Sequence, residues 1–146
     1  MKNVISIVHV PEEYACRLHP RDNAALISIT EPGHRAPLKG GWKNLLRLQF
    51  HDVDRFVEGY TRFGIEDAKK IDLFISSLPD DVEELIIHCH AGISRSAAVS
   101  YYLHHYLGLE IKNEGKFLLR NKHIVSVMRS YFESEKNYNE IFGGEK

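Results

Sequence analysis

The run Leu85-Ile86-Ile87-His88-Cys89 is apolar and β-prone, and after five intervening residues Arg95 opens a run that is apolar on nearly every side. A strand of that kind reads as buried on both faces. The following Ala97-Ala98-Val99-Ser100-Tyr101-Tyr102-Leu103 has the pattern of a helix with no solvent face, and Gly108 is placed to stop it. A buried strand that turns within five residues into a buried helix is a unit of a parallel α/β sheet, not of a sandwich or a helical bundle.

The rest of the chain agrees with that unit. Val4–Val8 and Ala25–Ile29 read as further buried strands, and Leu46–Phe50 alternates as a half-exposed one. Pro32-Gly33 and Gly40-Gly41 mark residues 31–42 as loop. From Ile65 to Leu78 the apolar positions 65, 68, 71, 75 and 78 form one helical stripe, ended by Pro79-Asp80-Asp81. Asn113 is placed to cap a helix through Arg120, and a second helix follows from Ile124 with Val127, Met128, Tyr131 and Phe132 inward. Residues 134–146 are polar and read as a frayed tail. The expectation is a single α/β domain over 1–146, with a mostly parallel sheet of four to five strands flanked by helices.

Composition excludes several classes. A chain of 146 residues with 43% apolar content buries roughly 70% of its unfolded surface, enough to fold without staples. A net charge of −1 argues against bulk electrostatic capture of nucleic acid or of acidic membranes. The apolar run at the N-terminus is short and meets Pro11-Glu12-Glu13, unlike an export signal, and no run reaches membrane-span length. Two cysteines, Cys16 and Cys89, make no disulfide framework, so the expected compartment is the reducing cytoplasm.

The loop after Cys89 is where chemistry is expected, because open α/β sheets bind ligands outside the carboxyl ends of their strands. Gly92 permits positive φ and a close backbone approach. Successive amides of His90, Ala91, Gly92, Ile93, Ser94 and Arg95 can turn inward as an anion nest, to which the helix N-terminus adds its positive dipole end. The Arg95 guanidinium matches two oxygens of a tetrahedral anion. Cys89 stands at the base of that nest, where amides, dipole and guanidinium all favour negative charge on sulfur. A thiolate beneath a bound phosphate is a nucleophile aimed at phosphorus, and Ser96 can donate a hydrogen bond that helps the sulfur leave later.

His88-Cys89, five residues, then Arg95-Ser96 resembles the His-Cys-x5-Arg-Ser signature of the cysteine-dependent protein tyrosine phosphatases. The chain is too short for the large tyrosine-only domain. Its cysteine lies mid-chain, unlike that of the low-molecular-weight class. It is most similar to the compact dual-specificity-like phosphatases, including small single-domain microbial forms, across residues 4 to 132. The resemblance implies a thiol-phosphate intermediate, no metal or other cofactor, a phosphorylated protein or peptide as partner, and a general acid on a loop after the preceding strand. Asp52 and Asp54 follow Leu46–Phe50 and precede Cys89 by 37 and 35 positions. Phe50-His51-Asp52 matches the Phe-x-Asp of compact members, which favours Asp52; the Trp-Pro-Asp of the large enzymes is absent.

Blander readings stand beside these. Cys89 could be an inert core thiol, but Gly92, Arg95 and Ser96 at their spacings argue otherwise. His88 reads as structural, its ring tying loop carbonyls together, and His90 as shaping the loop. His88-Cys89-His90 makes a poor metal site, because alternate strand residues face opposite ways. Cys16 and Trp42 read as core; Tyr101, Tyr102 and Tyr106 as residues of a buried helix; His104 and His105 as surface. Rival functions are the same chemistry on a phosphoinositide or an RNA 5′-phosphate, and a phosphoresidue-binding module. The loop holds no lysine, which counts against a phosphoinositide.

Overall fold

The computed structural model describes residues 4–113 and 116–136. Five strands, β1 (Ser6–Pro11), β2 (Ala24–Thr30), β3 (Leu45–Gln49), β4 (Glu84–Cys89) and β5 (Glu110–Ile111), form one sheet in the order β3-β2-β4-β1-β5. Every pairing is parallel. β4 lies at the centre, between β1 and β2, so Cys89 ends a strand paired on both sides. The register sets Pro11 opposite Cys89 and Ser28 opposite His88.

Strand alternation divides the core between the two faces. Leu85, Ile87 and Cys89 point to the larger cluster under α2 (Ile65–Ser76), α3 (Arg95–Leu107) and α4 (Lys122–Ser130). Ile86 points to a smaller cluster with Val10, Ala15 and Leu26, against which Trp42 packs half-buried. On that second face lies α1 (Glu12–Arg17), a six-residue helix that buries only Ala15 and is too short to leave a periodic signature. β5, at two residues, is equally invisible to pattern reading. Among the described residues no helix is long and apolar enough to cross a membrane.

The α3 expectation holds in detail. Arg95 through Ser100 are buried, and Gly108 closes the helix at φ 70°, ψ 33°, the left-handed conformation that glycine adopts without strain. Its outer turn is less covered than expected: Tyr102 is buried, Tyr101 half-buried and Tyr106 exposed, stacked on Tyr102.

Two expectations near the C-terminus are corrected. Asn113 starts no helix; its side chain accepts from His9 N (2.6 Å) and donates to His9 O (2.9 Å), extending the edge of β1. The described residues 116–119 form a turn. The helix cap is Asn121 instead, whose Oδ1 accepts from Ile124 N at 3.0 Å. The chain also does not fray from Ser134, because α4 continues into a π-helical turn, Tyr131–Glu135. Asp72 of α2, 9% exposed, accepts from the Tyr131 hydroxyl (2.8 Å) and from Lys136 Nζ (2.9 Å) and so fastens this end. The remainder of the expected tail, 137–146, lies outside the described residues.

Replacing Asp72 with Ala leaves a buried tyrosine hydroxyl and a half-buried ammonium without this acceptor. Urea unfolding should report a loss of about 1–3 kcal/mol; an unchanged midpoint would show that the C-terminal turn is not anchored there.

Candidate active site

The loop from Cys89 to Arg95 is shaped by one contact. Gly92 has φ +75°, and a Cβ built on it would lie 2.4 Å from Pro11 N and 2.5 Å from Val10 C. Only glycine allows the loop to fold back against the end of β1. Two further bonds hold it there. Glu12 N donates to His90 O at 3.1 Å, and His9 Nδ1 donates to Gly92 O at 2.9 Å.

That fold brings donors to Cys89. The sulfur is buried (2% exposed), accepts from Gly92 N at 3.3 Å, and shares a hydrogen bond of 3.2 Å with Ser96 Oγ. Ser96 is itself fully buried at the start of α3. Arg95 is 6% exposed. Its NH1 donates to Phe50 O at 2.9 Å and its NH2 lies 3.6 Å from Glu31, while its Nε–H is buried with no acceptor. A buried guanidinium donor without an acceptor is a strong attractor for an oxyanion. His90, Ala91 and Ile93 form the exposed top of the loop, and Ser94 is half-buried.

The two candidate acids separate. Asp52 Oδ1 accepts from Ser94 Oγ and from Asn121 Nδ2, both at 2.8 Å, so its carboxylate is fastened to the loop after β4 and to the start of α4. Asp54 lies in the same cleft but pairs with Arg55 at 3.3 Å, with its side chain 62% exposed. Asn121 joins three parts of the site. Its backbone N–H donates to Ser94 O (3.1 Å), its side-chain amide to Asp52 and to Val53 O (3.1 Å), and its Oδ1 caps α4.

His88 is buried and structural, with a narrower role than expected. Its Nδ1 donates to one loop carbonyl, Cys89 O (3.3 Å), which leaves Nε2 to accept from the Ser28 hydroxyl at 2.6 Å. The ring that ties across the loop is His9. His90 is exposed, so the two histidines beside Cys89 do not converge, and no metal-binding group forms among the described residues. Cys16 is half-buried, not core, and burial followed by the nearby Glu12 pushes its thiol up.

Sequence reading missed His9, Ser28, Glu31 and Asn121. They enter through strand register and loop packing, and none carries a local motif. The capping pattern was the one available signal for Asn121, and Asn113 competed for it. No protein-family model matches the chain, and no curated protein matches it.

Burial disfavours the charged form of both His9 and His88, so each titrates below the ordinary 6.5 in the fold. Below pH 6.5 the unfolded chain therefore binds more protons, and stability falls as pH drops through that value. Urea midpoints between pH 8 and pH 5 should decline, with a shallower decline in His9→Asn and His88→Gln, which keep the Nδ1 and Nε2 bonds respectively. An unchanged slope in both would contradict this. Gly92→Ala should cost several kcal/mol, of order 3 or more, because backbone must move to admit the methyl; a native-like melting temperature would contradict the close approach.

Proposed function

We propose that the chain is a phosphomonoester hydrolase of the cysteine-dependent phosphatase type, acting on phosphotyrosine and on phosphoserine or phosphothreonine in proteins or peptides. Cys89 carries this reading. A buried sulfur accepts from an amide and shares a hydrogen bond with a hydroxyl at the base of a loop that ends in a buried arginine with a donor to spare. An inert core thiol needs none of that apparatus. The loop amides and Arg95 would hold the non-bridging phosphoryl oxygens, and charge developing on them in the transition state would be met by fixed donors.

Two steps follow. In the first, the Cys89 thiolate attacks phosphorus, the S–P bond forms as the P–O ester bond breaks, and Asp52 gives its proton to the leaving oxygen. In the second, Asp52, now a carboxylate, takes a proton from water as that water attacks phosphorus. The S–P bond breaks, and Ser96 donates to the departing sulfur. Ester and water become alcohol and phosphate, and both side chains return to their starting states. The fastening of Asp52 to Ser94 and Asn121 supports its role over Asp54.

A cleft of about 540 Å³ runs from Asp52 and Ser94 past Val57 to Leu118 and Leu119, which are 85% and 62% exposed. The rim also carries Asp54, Arg55, Arg120 and Lys122. Such a mixed apolar and charged cleft suits the residues flanking a phosphorylated side chain in a peptide, which supports a peptide over a bare sugar or nucleotide ester.

Cys89→Ser should lower turnover of para-nitrophenyl phosphate at least about 10³-fold while retaining phosphopeptide binding. Asp52→Asn should lower turnover of phenyl phosphate by about 10²–10⁴-fold, affect the activated nitrophenyl ester less, and remove the alkaline limb of the pH profile. Asp54→Asn should do neither. Substantial hydrolysis by Cys89→Ser would overturn the mechanism, and the acid pattern appearing in Asp54→Asn would move the proton donor.

A further inference from the structure

A second cavity, of about 330 Å³, opens beside β2 and β3. Ser28 and Thr30 follow Leu26, and Arg47 follows Leu45, at two-residue steps and alternate with Ile27, Ile29 and Leu46, so they project to the face of the sheet opposite Cys89. The cavity wraps the edge strand β3, taking Lys70 and Asp67 from α2 and Arg35 from the loop after β2. Thus three cations from three elements, Arg35, Arg47 and Lys70, line one small space. None of them forms an ion pair among the described residues.

Arg47 is the most constrained of the three. Its NH1 donates to Ala36 O at 3.2 Å, but its Nε–H is buried with no acceptor. Burial, and after it the like charge of Arg35, disfavour its guanidinium cation, so the fold maintains a positive group at a cost that no carboxylate offsets. Asp67, the acid lining the cavity, is turned to the start of α2, where it accepts from Gly64 N at 2.9 Å. Arg95 in the reaction loop has the same signature, one N–H on a backbone carbonyl and a buried Nε–H without an acceptor.

We propose that this cavity is a second anion site, which binds a phosphate-class dianion through Arg47, Arg35 and Lys70. Three cations against one carboxylate leave an excess of two positive charges, which a dianion neutralises and a carboxylate ligand does not. Guanidinium forks from two directions match the oxygens of a tetrahedral anion. The space admits one such ion with several waters, each occupying about 30 Å³. Because it lies around the edge strand β3 and takes no lining residue from the loop of residues 89–95, the occupant is a free phosphate and not another group of a molecule held in the reaction loop.

Calorimetric titration with inorganic phosphate tests this. The wild-type protein should bind two equivalents, and Arg95→Met should retain one. Arg35→Gln, at an exposed position outside the reaction site, should weaken that one about tenfold, as loss of a charge-assisted donor predicts, and leave turnover unchanged. Arg35→Gln combined with Arg47→Gln should abolish it. If the reaction loop holds no anion, the wild-type protein binds a single equivalent that resists Arg95→Met and is lost in the Arg35 and Arg47 variants; the proposed function then falls and this site stands. Abolition of all phosphate binding by Arg95→Met would overturn the second site. A tungstate soak of wild-type crystals needs no variant: a heavy-atom peak between Arg35 and Arg47 supports the site, and its absence overturns it.

Discussion

The closeness of Gly92 to the Val10–Pro11 backbone is the constraint on which the site depends. With no side chain at that position, the loop after β4 lies against the end of β1, where Glu12 N and His9 Nδ1 hold two of its carbonyls. With the His90 and Gly92 carbonyls held by β1 and its end, Gly92 N reaches Cys89 Sγ. A larger residue there would push the loop off β1 and take with it the geometry of Ser96 and Arg95. The parallel register that sets Pro11 opposite Cys89 therefore places the loop around the sulfur as well as ordering the sheet.

From that loop the rest of the site is tied on by polar contacts to groups distant in sequence. Arg95 is held by the carbonyl of Phe50, where β3 gives way to the Asp52 loop, and Ser94 and Asn121 draw Asp52 itself to the loop after β4 and to the start of α4. Asn121 also begins α4, whose Met128 packs into the same cluster as Cys89. The loop after β4, the Asp52 loop and α4 thus meet at one buried asparagine. The chain is almost neutral overall, yet it holds two arginines, Arg47 and Arg95, whose Nε–H is buried without an acceptor. Net charge governs long-range capture and says little about a site of one tetrahedral anion.

The central strand, its loop and the buried α3 were legible because one contiguous stretch, Leu85 to Leu103, carries both the apolar pattern and the reactive residues. The parallel architecture followed from it. Contacts between distant residues were not legible. Asn113 and Asn121 each precede a plausible helical run, and tertiary partners decide between them: His9 takes the first, Ile124 and Asp52 the second. α1 and β5 are too short for periodicity to register. His9 looks like any strand histidine until the loop after β4 is laid against it. Asp52 was readable as the favoured candidate through the Phe-x-Asp that the resemblance supplies, and the bonds to Ser94 and Asn121 add a structural difference from Asp54.

The central claim is that phosphate passes through the sulfur of Cys89. It is tested most directly by acid-quenching Asp52→Asn during reaction with para-nitrophenyl phosphate and weighing the peptide that contains Cys89. Without its base the second step is slow while the activated ester still loads the sulfur, so the peptide should gain one phosphoryl group on Cys89 together with a stoichiometric burst of nitrophenol. Release of nitrophenol with Cys89 unmodified, or with the phosphoryl group on another residue, would contradict the account.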